Sequence, residues 1–318
     1  MREISPLDID GIEIGHATNV EAGTGCTVII CRDGAAAGVD VRGGGPATRE
    51  TDLLSPEKMV QQVHAVMLSG GSAFGLDAAS GAMEWLEERE VGFDTGVAKV
   101  PIVCAASIFD LACGRADVRP DKAMGYEACE AASRTTVVEE GCVGAGCGAT
   151  VGKMFGPTRC MKSGLGVAGL EHDGLQVAAV SVVNALGIVV DGEGFPMAGA
   201  LAEDGFNLVS IEEAEEACIT LSDLPFTTNT TITCIVTNAQ LTKAQCIKVA
   251  QVTHDGYARA IRPVHTSNDG DAVFVLATGA RPAGVDGVGI LAANACELAI
   301  RNAVTSATGG YGFISMGS

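Results

Sequence analysis

The stretch "FTTNTTITCIVTNAQL", residues 226–241, sets Thr227, Thr228, Thr230, Thr231 and Thr233 at the head of an apolar run. Three readings compete for these threonines. Asn229-Thr230-Thr231 matches a glycosylation sequon, the run could be β-branched strand filler, or one hydroxyl could be a nucleophile. A threonine nucleophile needs a base, and its own α-amino group, with a pKa of ~7.7–8.0, is partly neutral near pH 7. That amine exists only if the chain is cut immediately before the threonine. The preceding "SDLPFTTN" reads as a polar, proline-containing loop entering the strand. A hydroxyl at such a junction could attack the preceding carbonyl, form an ester by N-to-O acyl shift and leave that ester to water.

Other groups could assist such chemistry. Asn184 interrupts "VAAVSVVNALGIVV", where a polar amide must find hydrogen bonds. It would cap a bulge or donate to an oxyanion. Lys153 ends "CGATVGK", either as a surface-seeking side chain at a turn or as a desolvated amine beside a reacting centre. In "HTSNDGDAVFVLATG", Asn-Asp-Gly is a turn signal, and Asp269 and Asp271, two residues apart, point the same way on extended chain. They could together orient a hydroxyl or an amine. The spacing of a calcium loop is absent. Two glycine-rich stretches imitate nucleotide motifs incompletely. "LSGGSAFG" does not give G-x-G-x-x-G, and "CGATVGK" has Cys147 at the first glycine position and Met154 where a P-loop carries Ser or Thr.

The elements that position these groups are legible. Ser55-Pro56-Glu57 predicts a helix start, and a second helix is expected from Ser72 with Phe74, Ala78, Ala82 and Trp85 on one face. Thr242 to Gln245 forms a capping box for a helix running towards Arg262, and a last helix covers about 288–305. Asp173-Gly174 turns a hairpin within "GLGVAGLEHDGLQVAAVSVVNALGIVVD", which goes on into a third strand. Further strands are expected in "VAKVPIVCAAS", "TTITCIVT" and "AVFVLATG". Many of these are apolar on both faces, as in sheets covered on both sides; two stacked sheets with helices outside satisfy the pattern.

The chain has 318 residues, 47% hydrophobic and 19% charged, enough for a large core, with no composition break, and reads as a single domain, 1–318. Its net charge of −19, without a basic stripe and with few aromatics, argues against nucleic acid as a partner. No run reaches the roughly 18 apolar residues of a membrane span, and no leader is evident, so a cytoplasmic location is expected and the sequon reading falls away. Twelve scattered cysteines without C-x-x-C pairs read as small core residues.

Taken in order, "RGGGPATRETDLLSP", "LSGGSAFGLDAASG", "VPIVCAASIFDL", "GAGCGATVGK", "VVNALGIVVD" and "NTTITCIVTNAQLTKAQ" resemble the L-aminopeptidase/D-esterase (DmpA-like) peptidase family, which includes β-aminopeptidases and the nylon-oligomer hydrolase. The resemblance covers most of the chain. It implies a four-layer αββα sandwich like that of the N-terminal-nucleophile hydrolases, and one self-cleavage at Asn229–Thr230 into chains 1–229 and 230–318. It implies Thr230 as nucleophile and base, Asn184 as oxyanion donor and Lys153 near the nucleophile. Asp269 and Asp271 stand where aminopeptidase members carry Ser and Glu, as in the nylon-oligomer branch. Phe109 falls where other members place a tyrosine, leaving one oxyanion donor unassigned. The implied activity is autoprocessing hydrolysis of small amides, peptides or esters without metal or cofactor, in a homo-oligomer, a tetramer of processed heterodimers. An acyltransferase of the ornithine-acetyltransferase type, or a nucleotide-binding protein using the loop at 69–75, are the alternatives.

Overall fold

The computed structural model describes residues 1–220 and 229–317. The loop expected ahead of the strand, with Thr227 and Thr228, lies outside the described residues. Nine strands carry the architecture: β1 (Arg2–Ile4), β2 (Glu13–Asn19), β3 (Thr24–Val41), β4 (Val63–Ser69), β5 (Val103–Ser107), β6 (Leu165–His172), β7 (Leu175–Asn184), β8 (Thr230–Gln240) and β9 (Ala272–Pro282). Their order is β1-β6-β7-β8-β9-β3-β4-β5, closed by a short strand at Thr48–Arg49, with β2 also on β3. The β8–β9 and β4–β5 pairs are parallel.

β3 makes this path into two sheets. Its first half, through Ile30, pairs with β2 and β4, whereas Ala36 to Val41 pair with β9. The strands alternate between two apolar environments, as the two-residue period requires. On β8, Ile232, Cys234 and Val236 meet Phe274 and Leu68 between the sheets, whereas Ile235 and Ala239 meet the helices α4 (Lys243–Ala260) and α5 (Val285–Thr305). On β4, Val66 and Leu68 face the sheet interface and Ala65 and Met67 face α1 (Ala78–Glu87) and α2 (Lys122–Ala132), while α3 (Ile211–Thr220) buries Ala214 in a separate cluster with Met154 and Leu186. Three apolar interfaces therefore separate four layers, αββα. That is the arrangement expected from strands apolar on both faces.

Thr242 caps α4 reciprocally with Gln245, as its spacing predicts, and Asp173, at φ +49°, turns the β6–β7 hairpin with Gly174. Two helix expectations are corrected. Ser55–Lys58 forms only a turn, because the chain enters β4 at Val63, too soon for a nucleated helix. The segment from Ser72 is a 3-10 helix to Asp77, and α1 begins at Ala78. Phe74 is consequently exposed, covered by the Arg119 guanidinium rather than by the core. "VAKVPIVCAAS" also divides, into a two-residue strand at Lys99–Val100 and β5. All twelve cysteines are free thiols and ten are buried. No helix among the described residues is long and apolar enough to cross a membrane.

The α1–α2 crossing is made by glycine. A Cβ on Gly125 would stand 1.8 Å from the Ala78 carbonyl oxygen, and one on Gly81 1.9 Å from that of Lys122. The backbones meet where any side chain would separate them. Gly125→Ala should therefore destabilise the fold by roughly 2–3 kcal/mol. A lowered urea midpoint with unchanged m-value would show it; an unchanged midpoint would refute the close approach.

Candidate active site

The last residue of β7, Asn184, lies directly opposite the first of β8, Thr230. By strand parity Thr230 shares the inter-sheet face with Ile232, and Thr231 falls on the helix face with Thr233. Both are buried, but only Thr230 stands on the face of Asn184. Alternation along β8 thus separates two adjacent threonines that spacing alone leaves equivalent.

Asn184 is fully buried and its amide is committed at both ends. Nδ2 donates to the Phe109 carbonyl (3.0 Å); Oδ1 accepts from Lys153 Nζ (2.6 Å) and the Thr150 amide (3.1 Å). Lys153 Nζ donates as well to the Asn184 main-chain oxygen at 2.8 Å. Lys153 opens a single 3-10 turn after Gly152, whose φ of +78° and 2.0 Å approach to the backbone at Gly199 and Ala200 admit no side chain. The turn carries the lysine inward instead of to the surface, leaving it 1% exposed. Burial pushes its pKa down to about 7. Lys153 is therefore the desolvated amine, not the surface-seeking one.

Asn229 continues the parallel pairing beyond β8, bridging to Asp269. Its carbonyl oxygen receives the Gly270 amide (2.8 Å) and the Thr230 hydroxyl. A Cβ on Gly270 would lie 2.7 Å from Thr230 Oγ1 and 2.8 Å from the Gly45 oxygen. The glycines of "RGGGP" form the floor of this turn: Gly45 donates to the Asp269 carbonyl (2.8 Å), and a Cβ on Gly43 would meet the backbone of Asp269 and Asp271 at 2.3 Å.

The two aspartates do not converge on one group. Asp271 Oδ1 accepts from the Thr231 amide at 2.7 Å, and its Oδ2 accepts from the His265 amide (3.2 Å) and contacts His265 Nδ1 (2.8 Å). Asp269 holds its own turn, accepting from the Thr266 amide (2.9 Å) and hydroxyl (2.6 Å) and, from across the site, the Leu186 amide (3.4 Å). Burial first, then the charge of Asp271, raises the Asp269 pKa to about 6. The structure so brings Thr230, Asn229, Asn184 and Lys153 together, with the two carboxylates bracing the backbone on either side of Gly270.

Sequence reasoning did not single out Gly270, His265 or Asp110. The loop "LSGGSAFG" belongs to the last of these. Gly71 donates its amide to Asp110 Oδ1 (2.6 Å), and Thr24 its hydroxyl to Oδ2 (2.6 Å). A protein carboxylate occupies the glycine turn where a nucleotide phosphate would have to sit. The clamp fixes Phe109, whose carbonyl holds Asn184. A cavity of about 10 Å³, lined by Phe109, Cys113, Thr150, Lys153, Cys160 and Phe313, adjoins the amine and has room for about one water. Among the described residues no three His, Cys, Asp or Glu side chains converge as a metal site.

The fold has solved counterparts. A protein from Pyrococcus horikoshii OT3 superposes with TM-score 0.69 at 20% identity, covering 94% of this chain and 86% of that one. The L-aminopeptidase D-Ala-esterase/amidase of Ochrobactrum anthropi, described as a variant of the Ntn hydrolase fold, superposes with TM-score 0.69 at 18% identity (94% and 85% covered). These likenesses define the architecture as that Ntn-hydrolase variant. The profile of peptidase family S58 matches residues 5–314, and the chain belongs to that family. It is 44% identical over 293 residues to an uncharacterized aminopeptidase of Mycobacterium leprae (87% of this chain, 79% of the relative). It is 34% identical over 281 residues to a 6-aminohexanoate-oligomer endohydrolase of Paenarthrobacter ureafaciens (87% and 76%). The protein is a hydrolase acting on amide bonds.

The two shifted groups act oppositely on stability. Folded Asp269 holds its proton up to about pH 6, against ~3.9 unfolded, so its contribution is present at low pH and is lost as pH rises through 6. Folded Lys153 releases its proton near pH 7, against ~10.4 unfolded, so stability rises with pH above 7. Asp269→Asn should remove the decline between pH 4 and 6, and Lys153→Met the rise above 7, in urea midpoints measured across pH. Parallel profiles for variants and parent would contradict these assignments.

Proposed function

We propose that the chain cleaves itself once between Asn229 and Thr230 and then works as an N-terminal-threonine amidohydrolase. The observation that carries the reading is the Asn229 carbonyl, held between the Gly270 amide and the Thr230 hydroxyl at the head of a buried strand. In the first reaction Thr230 Oγ attacks that carbonyl carbon. The developing oxyanion is stabilised by the Gly270 N–H, which already points at it. The C–N bond breaks as the Thr230 nitrogen gains a proton, leaving an ester on Oγ. Water hydrolyses the ester, giving the Asn229 carboxylate and a free Thr230 amine, with chains of residues 1–229 and 230–318.

The freed amine then serves as base. It takes the Oγ proton as Thr230 attacks a substrate amide, passes it to the leaving amine, and activates the water that releases the acyl group. Asn184 is the amide donor for this second oxyanion. Lys153 fixes the asparagine through Oδ1, which leaves Nδ2, one of whose hydrogens is given to the Phe109 carbonyl, as the donor end of the amide. Asp269 and Asp271 hold the backbone and offset the new ammonium charge. The Asp-Gly-Asp sequence, together with the likeness to an enzyme named for 6-aminohexanoate oligomers, favours short linear amides with a terminal amine as substrates. Assembly of processed chains into a homo-oligomer belongs to the same reading.

Thr230→Ala should run as one chain of full mass and hydrolyse neither 6-aminohexanoate dimers nor aminoacyl anilides. Two fragments meeting at 229/230 in the intact mass of that variant would defeat the assignment. Gly270→Ala, which places a methyl 2.7 Å from Oγ1, should displace the hydroxyl and slow fragment appearance by about 100-fold; processing at the parent rate would show that the hydroxyl does not depend on its seat against Gly270.

A further inference from the structure

Asp271 is held from two sides, and the partner on its far side has no part in the chemistry described so far. His265 directs both its main-chain N–H (3.2 Å) and its ring Nδ1 (2.8 Å) at Asp271 Oδ2. The other oxygen, Oδ1, accepts the Thr231 amide at 2.7 Å. A residue six positions away thereby grips the carboxylate that fixes the residue next to the nucleophile.

The backbone is shaped for this grip. His265 has φ +57°, in the left-handed region that side chains other than those of Asn, Asp and His seldom enter. That conformation turns the amide and the ring to the same oxygen, and such outliers concentrate at functional sites. The ring is wedged edge-on against His254 (centroids 4.6 Å, 79°) and Tyr257 (5.5 Å, 85°), both on α4. Tyr257 in turn puts its hydroxyl within 3.2 Å of the Thr231 carbonyl and 3.1 Å of the Ala272 carbonyl. His254 is anchored by Nε2 on the Asp40 carbonyl (3.2 Å). The ring therefore has one seat, with Nδ1 facing a carboxylate oxygen that can accept the ring N–H. His265 Nε2 is buried without a hydrogen-bond partner among the described residues. The hydrogen-bonding contribution of the ring is thus made through Nδ1.

We propose that His265 is a positioning residue for self-cleavage: by holding Asp271 it locks the Thr230–Thr231 peptide, and so aims the Thr230 hydroxyl at the Asn229 carbonyl. It touches neither reacting atom. Without the ring, Asp271 Oδ2 keeps only the main-chain N–H at 3.2 Å, and the carboxylate holds the Thr231 amide less firmly. The inference rests on Thr230 being the nucleophile.

Three substitutions in the full chain separate positioning from packing. His265→Ala should slow fragment appearance, followed by intact mass, by about 10- to 100-fold. His265→Asn should return it to within about threefold of the parent, because its Nδ2 takes the place of Nδ1–H and asparagine accepts positive φ. His265→Gln carries its amide one bond further, where Nε2 sits, and should stay as slow as alanine. Parent-rate maturation of the alanine variant would overturn the proposal, as would glutamine restoring the rate as well as asparagine or asparagine failing like alanine. Thr230→Ala, run alongside, tests the underlying reading by itself. If it still splits at 229/230 the nucleophile is wrong whatever the His265 series shows, whereas an intact Thr230→Ala with a fast His265→Ala defeats only the positioning role.

Discussion

The parallel ladder between β8 and β9 extends one residue beyond β8, to Asn229 and Asp269, and the site is assembled around that extension. Parallel strands cannot be joined by a tight turn, so the chain returns from the end of β8 through α4 before starting β9. The return brings the turn at Thr266–Asp271 back beside the residue where β8 began. Register then decides the rest. Ile232 pairs with Ala272, which sets Gly270 beside Thr230 and Asp271 beside Thr231. A shift of one residue would set an aspartate beside Thr230, where Gly270 now leaves the hydroxyl its room. The antiparallel neighbour β7 completes the arrangement by ending in Asn184 opposite Thr230.

Much of this was legible in the sequence. Strands apolar on both faces imply stacked sheets under helices, and the capping box at Thr242 and the Asp173-Gly174 turn stand where their spacing predicts. Asn184 stood out because an amide in an apolar run needs partners, and it has them at both ends. Lys153 remained ambiguous because its direction depends on Gly152, whose positive φ cannot be read from composition. The spacing of Asp269 and Asp271 marks them as a pair, but the pleat that would align them begins only at Ala272. They lie in the turn before it, where each finds its own partner. His265 gave no signal at all, since its role depends on a left-handed backbone and on two rings brought by α4. The helix expected at Ser55 failed through chain length, because propensity at a cap cannot lengthen a segment that must enter a strand five residues after Lys58.

The glycine-rich stretches illustrate how one composition serves different ends. "RGGGP" brings backbone against the backbone of the Asp269–Asp271 turn, and "LSGGSAFG" receives the Asp110 carboxylate. Both look like loops made to bind something, and both bind another part of the same chain. Asp110 and Lys153 act at a distance through this packing. The first fixes the Phe109 carbonyl and the second the Asn184 oxygens, so the asparagine amide is oriented by two elements remote in sequence.

The position of β8 and β9 within the sheet has a consequence for the life of the molecule. These two strands lie between β7 and β3, both from the part of the chain ahead of Asn229. A cut before Thr230 would therefore leave the shorter piece as the middle of a sheet whose flanks belong to the longer one. The pieces would stay together because separation would bare the outer edges of β8 and β9 and the apolar face they present to the second sheet. Reassembly is another matter. An intact chain closes its sheet as a first-order event, whereas severed pieces must meet in solution, so their recovery after unfolding would depend on concentration. The cut would convert a reversible fold into one held by the height of its unfolding barrier.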